Sequence, residues 1–447
     1  MKRIQLLICY IVAIFMLSAN AAWAQYVKVT AKSGAVSWIP IRLSSSSSGY
    51  EIPYNAINKD TGGSIDLSQV WSLSGGRGTY YQVTSIGAEA FINCIGLTSV
   101  TIPSSVRTIK TSAFLGCTGL TSIEIPYSVV SIENSAFSGC TGLTKVIARD
   151  IAAWCNISFE TANANPLYYA HHIYSDENTE ITNLIISSNA RKIGDFAFMN
   201  CIGLTFAFIP STVSSIGNQA FMNCSRLFIV LIPSSVSSIG NQAFAYCSGL
   251  TSIEFPASVR SIGHGAFYNC SGLTSVTSSI TNVFATGSQA FYGCSNATLY
   301  VPAASLTQYQ NTTDWKYFNA IIPYSPILFS CNNKGKVLVN GKEELTNVYK
   351  KINIYDGLDN TFVFQPDDDC ELRQVLIDGQ DVMGSMVNNQ LTVTLHGGSK
   401  MIVMFNQRGY DVNGDRRVDI SDVVTLVNMI LGQKKNLVRL YLGKKLE

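Results

Sequence analysis

A fixed 23-residue period constrains this chain more than any other feature. Leu97, Leu120 and Leu143 stand 23 residues apart, as do Leu204, Leu227, Leu250 and Leu273. The pair Ala-Phe recurs at 90–91, 113–114, 136–137, 197–198, 220–221, 243–244, 266–267 and 290–291. A Cys follows each Phe three residues on. The stretch Leu97-Thr-Ser-Val100-Thr-Ile102-Pro103 puts Leu, Val and Ile inward and Ser99 and Thr101 outward, which predicts a short strand with one buried face. Pro103 ends its ladder because it has no N–H to donate. Val106 and Ile109 return to the core, and Ala-Phe supplies one small and one large plug per turn. Gly217, Gly240 and Gly263 fit a tight bend that calls for positive φ. No single turn can bury its own apolar face, so the core must come from stacked neighbours.

A period of 20–29 residues with this Leu/Ile spacing predicts a leucine-rich repeat solenoid of short strands and tight turns. That decides a question composition leaves open. Apolar residues make up 47% of the 447, and Lys, Arg, Asp and Glu only 13%, about half the ~25% of a usual soluble chain. Such a balance excludes a charged disordered chain and would suit a membrane protein. The repeat instead moves the apolar side chains into a stacked interior. The net charge of +2 argues against nucleic acid as a partner.

One segment reads as a targeting element. Lys2 and Arg3 precede an apolar run from Ile4 to Leu17, and Ala22-Trp23-Ala24 supplies the small residues of a cleavage site. This predicts a signal peptide over 1–24 and a secreted or outer-surface chain without a membrane span. The run falls short of the ~20 residues a spanning helix needs. Removing Lys2 and Arg3 takes the formal charge from +2 to zero.

The expected organisation is an N-terminal cap over 25–84, the solenoid over 85–296 and a C-terminal cap over 297–325. An elongated repeat at 150–180 interrupts the array once. A small all-β, sandwich-like module follows over 331–405, with turn pairs at Asn340-Gly, Asp356-Gly and Asp378-Gly. Residues 406–447 hold a short EF-hand-like loop and helix, then a basic tail.

The Cys column comprises Cys94, Cys117, Cys140, Cys201, Cys224, Cys247, Cys270 and Cys294. Zinc would need clustered ligands, yet the closest pair, Cys140 and Cys155, is 15 apart and no CxxC occurs. The column therefore reads as a reduced, structural ladder of small apolar side chains. Cys331 and Cys370 lie outside it, and a disulfide between them stays open. His171 and His172 in the elongated repeat are adjacent, so on a strand they face opposite ways and do not chelate together. No nucleophile elbow, HExxH or phosphate loop appears, and the chain is not expected to be an enzyme.

A candidate site comes from outward positions followed up the stack. The ends of the array are polar there, whereas the middle holds Ile147, Ile185, Phe206, Phe208, Ile229 and Leu231. Strands of a solenoid lie side by side, so these six should form one apolar patch. Monomers seldom expose such a patch without use, and the expected ligand is a protein or glycan. Two alternatives remain: the 150–180 insertion folds over the patch, or the patch is unselected and the solenoid is a spacer. A second candidate is the loop 411–422. Asp411, Asn413, Asp415, Asp419 and Asp422 place side-chain oxygens at positions 1, 3, 5, 9 and 12, and Arg417 adds a carbonyl at 7. This is an oxygen set suited to Ca2+, although Arg416 stands where Gly usually makes the turn and Asp422 has a shorter arm than Glu. No other cofactor is expected.

These residues carry two resemblances. Units such as Leu120-Thr-Ser-Ile-Glu-Ile-Pro-Tyr-Ser-Val-Val-Ser-Ile-Glu-Asn-Ser-Ala-Phe-Ser-Gly-Cys140 resemble the BspA-type (Treponema/Bacteroides-type) leucine-rich repeats of bacterial surface proteins. So does the insertion with Ile151-Ala-Ala-Trp-Cys155 and Asn165-Pro-Leu-Tyr-Tyr169. The likeness spans about 85–322 and implies a secreted or surface solenoid with an adhesion or host-interaction role. Residues 411–430 resemble one half of a type I dockerin, matched at Asp411, Asn413, Asp415, Asp419 and Asp422. Dockerins carry two halves and only one is present, which argues against a cohesin-type partner.

Overall fold

The computed structural model describes residues 25–30, 36–41, 44–46, 49–52, 62–74, 77–80, 82–332, 334–341, 343–346, 348–368 and 370–407. The signal peptide of 1–24 and the calcium loop of 411–422 with its following helix lie outside the described residues. The chain divides into two units, Met1–Ile321 and Ile322–Glu447.

Most turns of the first unit contribute to two parallel ladders, not one. The first ladder contains the predicted strands. Ser122–Glu124, Lys145–Ile147 and Ile173–Tyr174 form a three-stranded sheet. Asn183–Ile185, Phe206–Phe208, Ile229–Leu231, Ser252–Phe255, Ser275–Ser278 and Thr298–Pro302 follow one another in a second sheet. Val146, Ala207, Val230 and Ile253 at the strand centres are buried. The second ladder consists of two-residue strands such as Thr108–Ile109, Ser131–Ile132, Ser215–Ile216, Ser238–Ile239 and Ser261–Ile262. The sequence marked their Ile only as a return to the core. A single inward residue shows no alternation, which is why this ladder was invisible in the pattern.

Between the ladders the Ala-Phe turns stack. The phenyl rings of Phe91, Phe114 and Phe137 lie 4.9 and 5.1 Å apart, and those of Phe198, Phe221, Phe244, Phe267 and Phe291 lie 5.2–5.5 Å apart, all nearly parallel. Every one is fully buried, and burying one Phe is worth about 1.5–3 kcal/mol. Backbone bonds tie each turn to the next: Phe114 N donates to Ala136 O at 2.8 Å and Phe221 N to Ala243 O at 2.7 Å.

The glycine expectation needs correction. Positive φ falls two residues after Gly217, Gly240 and Gly263, at Gln219 (53°), Gln242 (54°) and Gly265 (57°). The three glycines are required by close approach instead. A Cβ on Gly240 would lie 2.6 Å from the Gly217 carbonyl carbon, and one on Gly263 would lie 2.6 Å from that of Gly240.

The elongated repeat repairs the break in the Phe column. Asp150 caps the helix Ile151–Asn156 by accepting from Ala153 N at 3.0 Å. Trp154 is buried and donates its indole N–H to Ala197 O at 2.7 Å. Asn165 donates to Phe196 O at 2.8 Å while accepting from Leu167 N at 2.9 Å. The Tyr169 hydroxyl accepts from Gly139 N at 2.8 Å. The insertion thus occupies the core between Phe137 and Phe198.

At one end, Gly63–Ser74 pairs with Leu97–Thr101 and Gly49–Ile52 with Val83–Ile86. At the other, Trp315 packs its ring 4.9 Å from Phe291, and the Tyr309 hydroxyl donates to Ile280 O at 2.9 Å.

The described part of the second unit is built from two sheets. One orders Val348–Tyr355, Ala320–Cys331, Lys400–Gln407, Cys370–Ile377 and Gln380–Asp381; the other orders Glu343–Leu345, Gly335–Val339, Asp359–Pro366 and Gln390–Thr394. Phe329, Val337, Phe362, Phe364, Val375 and Phe405 share one core. Asn340-Gly341 and Asp378-Gly379 both adopt positive φ throughout, as tight hairpin turns need. The disulfide between Cys331 and Cys370 left open by the sequence is not formed.

The Phe column should dominate stability. Phe221→Ala is expected to cost about 3–5 kcal/mol, read as a lowered urea-unfolding midpoint. Tyr127→Ala, at an exposed position, should stay within about 0.5 kcal/mol.

Candidate functional site

The register of the strand sheet decides which outward residues meet. Ile185 stands opposite Phe208, and Phe208 opposite Leu231. Beside this row Asn183 stands opposite Phe206, Phe206 opposite Ile229, and Ile229 opposite Ser252. The fractional exposures are 69% for Ile185, 42% for Phe208 and 49% for Leu231. Phe206 and Ile229 are half-buried between their neighbours. Five of the six patch residues therefore come together on three adjacent strands. The insertion does not cover them, since Ile185, Phe208 and Leu231 remain exposed.

Ile147 does not join them. It is buried at 7% exposure, and its register neighbours are Glu124 on one side and Tyr174 on the other. The repeat count along the sequence made Ile185 its neighbour. The elongated repeat instead inserts the strand Ile173–Tyr174, which turns back through a bridge between Tyr174 and Glu180. Around Ile147 the surface is charged. Arg149 bonds Glu124 at 2.7 Å and also reaches Glu177, and Lys145 sits 4.5 Å from the centre of the Tyr174 ring. The apolar patch thus begins at Ile185, and Ser252 and Glu254 close it on the far side.

One member was missed in the sequence. Phe228 is 52% exposed and sits one residue before Ile229. The signal was there: six other turns carry Thr at this position, at 98, 121, 144, 205, 251 and 274. Several of these hydroxyls donate to the carbonyl one turn back, as Thr205 does to Thr182 O at 3.2 Å and Thr274 to Thr251 O at 3.2 Å. A Phe gives up that bond and places a ring in solvent.

His172 pairs through Nδ1 with Glu180 at 2.7 Å. His171 takes a left-handed turn at φ 61° and is half-buried. The two do not converge, and among the described residues no group of three or more His, Cys, Asp or Glu side chains is placed to hold a metal.

The Cys column forms an unbroken run of thiol–carbonyl contacts in each half of the array. Cys117 donates to Phe91 O at 3.0 Å, Cys140 to Phe114 O at 3.1 Å, Cys224 to Phe198 O at 3.1 Å, Cys247 to Phe221 O at 3.1 Å, Cys270 to Phe244 O at 3.0 Å and Cys294 to Phe267 O at 3.2 Å. Cys94 and Cys201 are buried in the same column, and none of the eight is in a disulfide. The other six sulfurs donate to the carbonyl of the Phe one turn earlier, and no pair in the column forms a disulfide. Burial pushes the Cys94 thiol up to about 11 and those of Cys140, Cys201 and Cys247 to about 12. Cys117, Cys224 and Cys270 are likewise raised well above the ordinary thiol value, by burial first and by neighbouring column thiols second.

Comparison with known proteins places the array. The sequence profile of the BspA type leucine rich repeat region matches residues 80–165 and 171–298, in six copies. No curated protein matches the chain. Among solved structures, a T. pallidum leucine-rich repeat protein is similar at 23% identity over 47% of this chain and 87% of its own, with a TM-score of 0.34. A leucine-rich cell surface protein of Faecalibacterium prausnitzii is similar at 22% identity over 63% of this chain and 94% of its own, with a TM-score of 0.30. The pneumococcal vaccine antigen PcpA shows 16% identity over 64% of this chain and 96% of its own, with a TM-score of 0.31. Among the described residues no helix is long and apolar enough to cross a membrane.

The thiol column predicts a stability limit in alkali. An unfolded thiol ionises near 9, whereas the buried ones hold their protons to about 11–12. Below 9 both states keep the proton and the stabilisation is complete. Above it the unfolded chain releases protons that the folded chain cannot, so stability falls from pH 9 toward 12. Thermal melts across that range should show the fall, and a variant with Cys224, Cys247 and Cys270 all replaced by Ala should show a shallower one.

Proposed function

We propose that this chain is a secreted or cell-surface interaction protein that binds a protein partner through the strand face of its solenoid. The observation that carries the reading is the exposed row Ile185, Phe208 and Leu231, widened by Phe228, Phe206 and Ile229, on a rigid sheet. A folded monomer gains nothing from solvating these side chains, and together they offer a partner an apolar anchor with a polar rim. The rim is Ser252 and Glu254 on one side and Asn183 and Glu180 on the other. Apolar side chains without donors suit a protein surface better than a sugar. The signal-peptide pattern and the BspA-type repeats support a site of action outside the cell.

The test is an array of purified extracellular matrix and surface proteins probed with the full chain. A variant carrying Ile185→Ser, Phe208→Ser and Leu231→Ser should lose about 100-fold or more in affinity. Its stability should change little, because the three side chains are already wet. Undiminished binding by this variant sinks the reading and leaves the solenoid as a structural spacer.

The same reading takes 411–422 as a Ca2+ loop, on the donor chemistry of Asp411, Asn413, Asp415, Arg417, Asp419 and Asp422. Calorimetric titration of the full chain with CaCl2 should give a one-site heat that Asp411→Ala with Asp415→Ala removes. Equal heats from both proteins would leave the loop a plain acidic turn.

A further inference from the structure

A second surface carries a different chemistry. The Ala-Phe turns end in side chains that point away from the core, and four successive turns run Gln219–Ser225, Gln242–Ser248, Gly265–Ser271 and Gln289–Ser295. None of the four contains Lys, Arg, Asp or Glu. Three tyrosines gather there. Tyr246 lies 5.5 Å from Tyr268 at 63°, and Tyr268 lies 5.2 Å from Tyr292 at 16°. Tyr246 is 41% and Tyr292 48% exposed. Backbone bonds hold the spacing, with Tyr246 N donating to Tyr268 O and Asn269 N to Tyr292 O, both at 2.7 Å. Amides flank the rings. Gln219 donates to Gln242 Oε1 at 2.9 Å, and Asn223 to Asn200 Oδ1 at 2.9 Å.

Tyr246 stands at a strained place. The residue before each Cys is left-handed in all eight turns, and it is Asn93, Gly116, Gly139, Asn200, Asn223, Asn269 or Gly293 in the other seven. Asn and Gly tolerate that conformation. A bulky side chain there costs on the order of 1–2 kcal/mol. Tyr246 holds it at φ 63°, with its ring part-exposed and edge-on to Tyr268. Strain held at a part-exposed aromatic outside the core points to a use at the surface.

We infer that the Tyr246–Tyr268–Tyr292 row binds a neutral polysaccharide chain running along the stack. An exposed phenol offers a flat apolar face and a polar tip. That suits a pyranose, whose axial C–H groups pack on a ring while its hydroxyls exchange hydrogen bonds with amides and phenols. Tyr268 and Tyr292 hold the same position in successive turns and Tyr246 one residue later in its own, so a chain running along the stack meets one phenol per turn. The four segments carry no charged side chain of their own, with Arg226 following the first, so the rings and amides rather than counter-ions supply the contact. This site shares no residue with the strand patch.

The test probes an array of neutral and acidic polysaccharides with the full chain. Neutral chains should be retained. Tyr246→Ala with Tyr292→Ala should weaken binding about tenfold or more. Tyr246→Phe with Tyr292→Phe, which keeps the rings, should stay within about threefold. The triple Ser variant of the strand face should bind glycan as the wild type does, which separates this inference from the protein-binding reading. Retention of no neutral polysaccharide, retention of acidic ones alone, or an Ala variant that binds like the wild type overturns it. Circular dichroism on each variant confirms the fold, and the Phe pair serves if the Ala pair fails to fold: equal loss in both would also overturn the role of the rings.

Discussion

A 23-residue turn has more apolar surface than it can cover by itself, and everything else in the first unit follows from that shortage. Each turn presents a Phe ring, a strand centre and a thiol to the turn on either side, and each is buried only because the neighbour is there. The stacked rings at about 5 Å, the backbone ladder and the thiol–carbonyl contacts all have the same repeat. They therefore reinforce one another, and a change that alters the repeat must be repaired locally. The glycines at 217, 240 and 263 belong to this constraint, since one turn's backbone lies against the next where a Cβ would not fit.

The elongated repeat is such a repair. With no Ala-Phe of its own, it brings Trp154, Leu167 and Tyr169 into the space between Phe137 and Phe198. Its indole and amide groups satisfy carbonyls that a regular turn would have met. The cost falls on the strand face. An extra short strand, Ile173–Tyr174, enters beside Lys145–Ile147, and a charged group around Arg149 lies over that region. The insertion therefore sets one edge of the apolar patch without touching its centre.

The two candidate surfaces differ in how they depart from the repeat. On the strand face the departures are apolar: Phe228 where other turns carry Thr, and Ile185, Phe208 and Leu231 where the turns toward the ends of the array carry Thr or Glu. On the Ala-Phe turns the departure is conformational, with Tyr246 in a backbone state that suits Asn and Gly. In both places the core positions stay regular. The turns can vary outward because their stability is supplied inward.

Much of the array was legible in the sequence because its periodicity is also its physics. Leu, Val and Ile at alternate positions can only be a half-buried strand, and Ala-Phe at a fixed offset can only be a shared plug. The outward set at Ile185, Phe206, Phe208, Ile229 and Leu231 came from the same alternation. Three things did not. The second ladder has one inward residue per strand and so no pattern. The role of Gly240 depends on how near another turn lies. The burial of Ile147 depends on which strand the elongated repeat sets beside it. By itself the sequence determined the repeat, the inward faces and the register within each regular turn, since these rest on interactions at constant spacing. Only the tertiary structure decided where the patch ends and which tyrosines meet, because both depend on neighbours that an irregular insertion and a left-handed turn bring together.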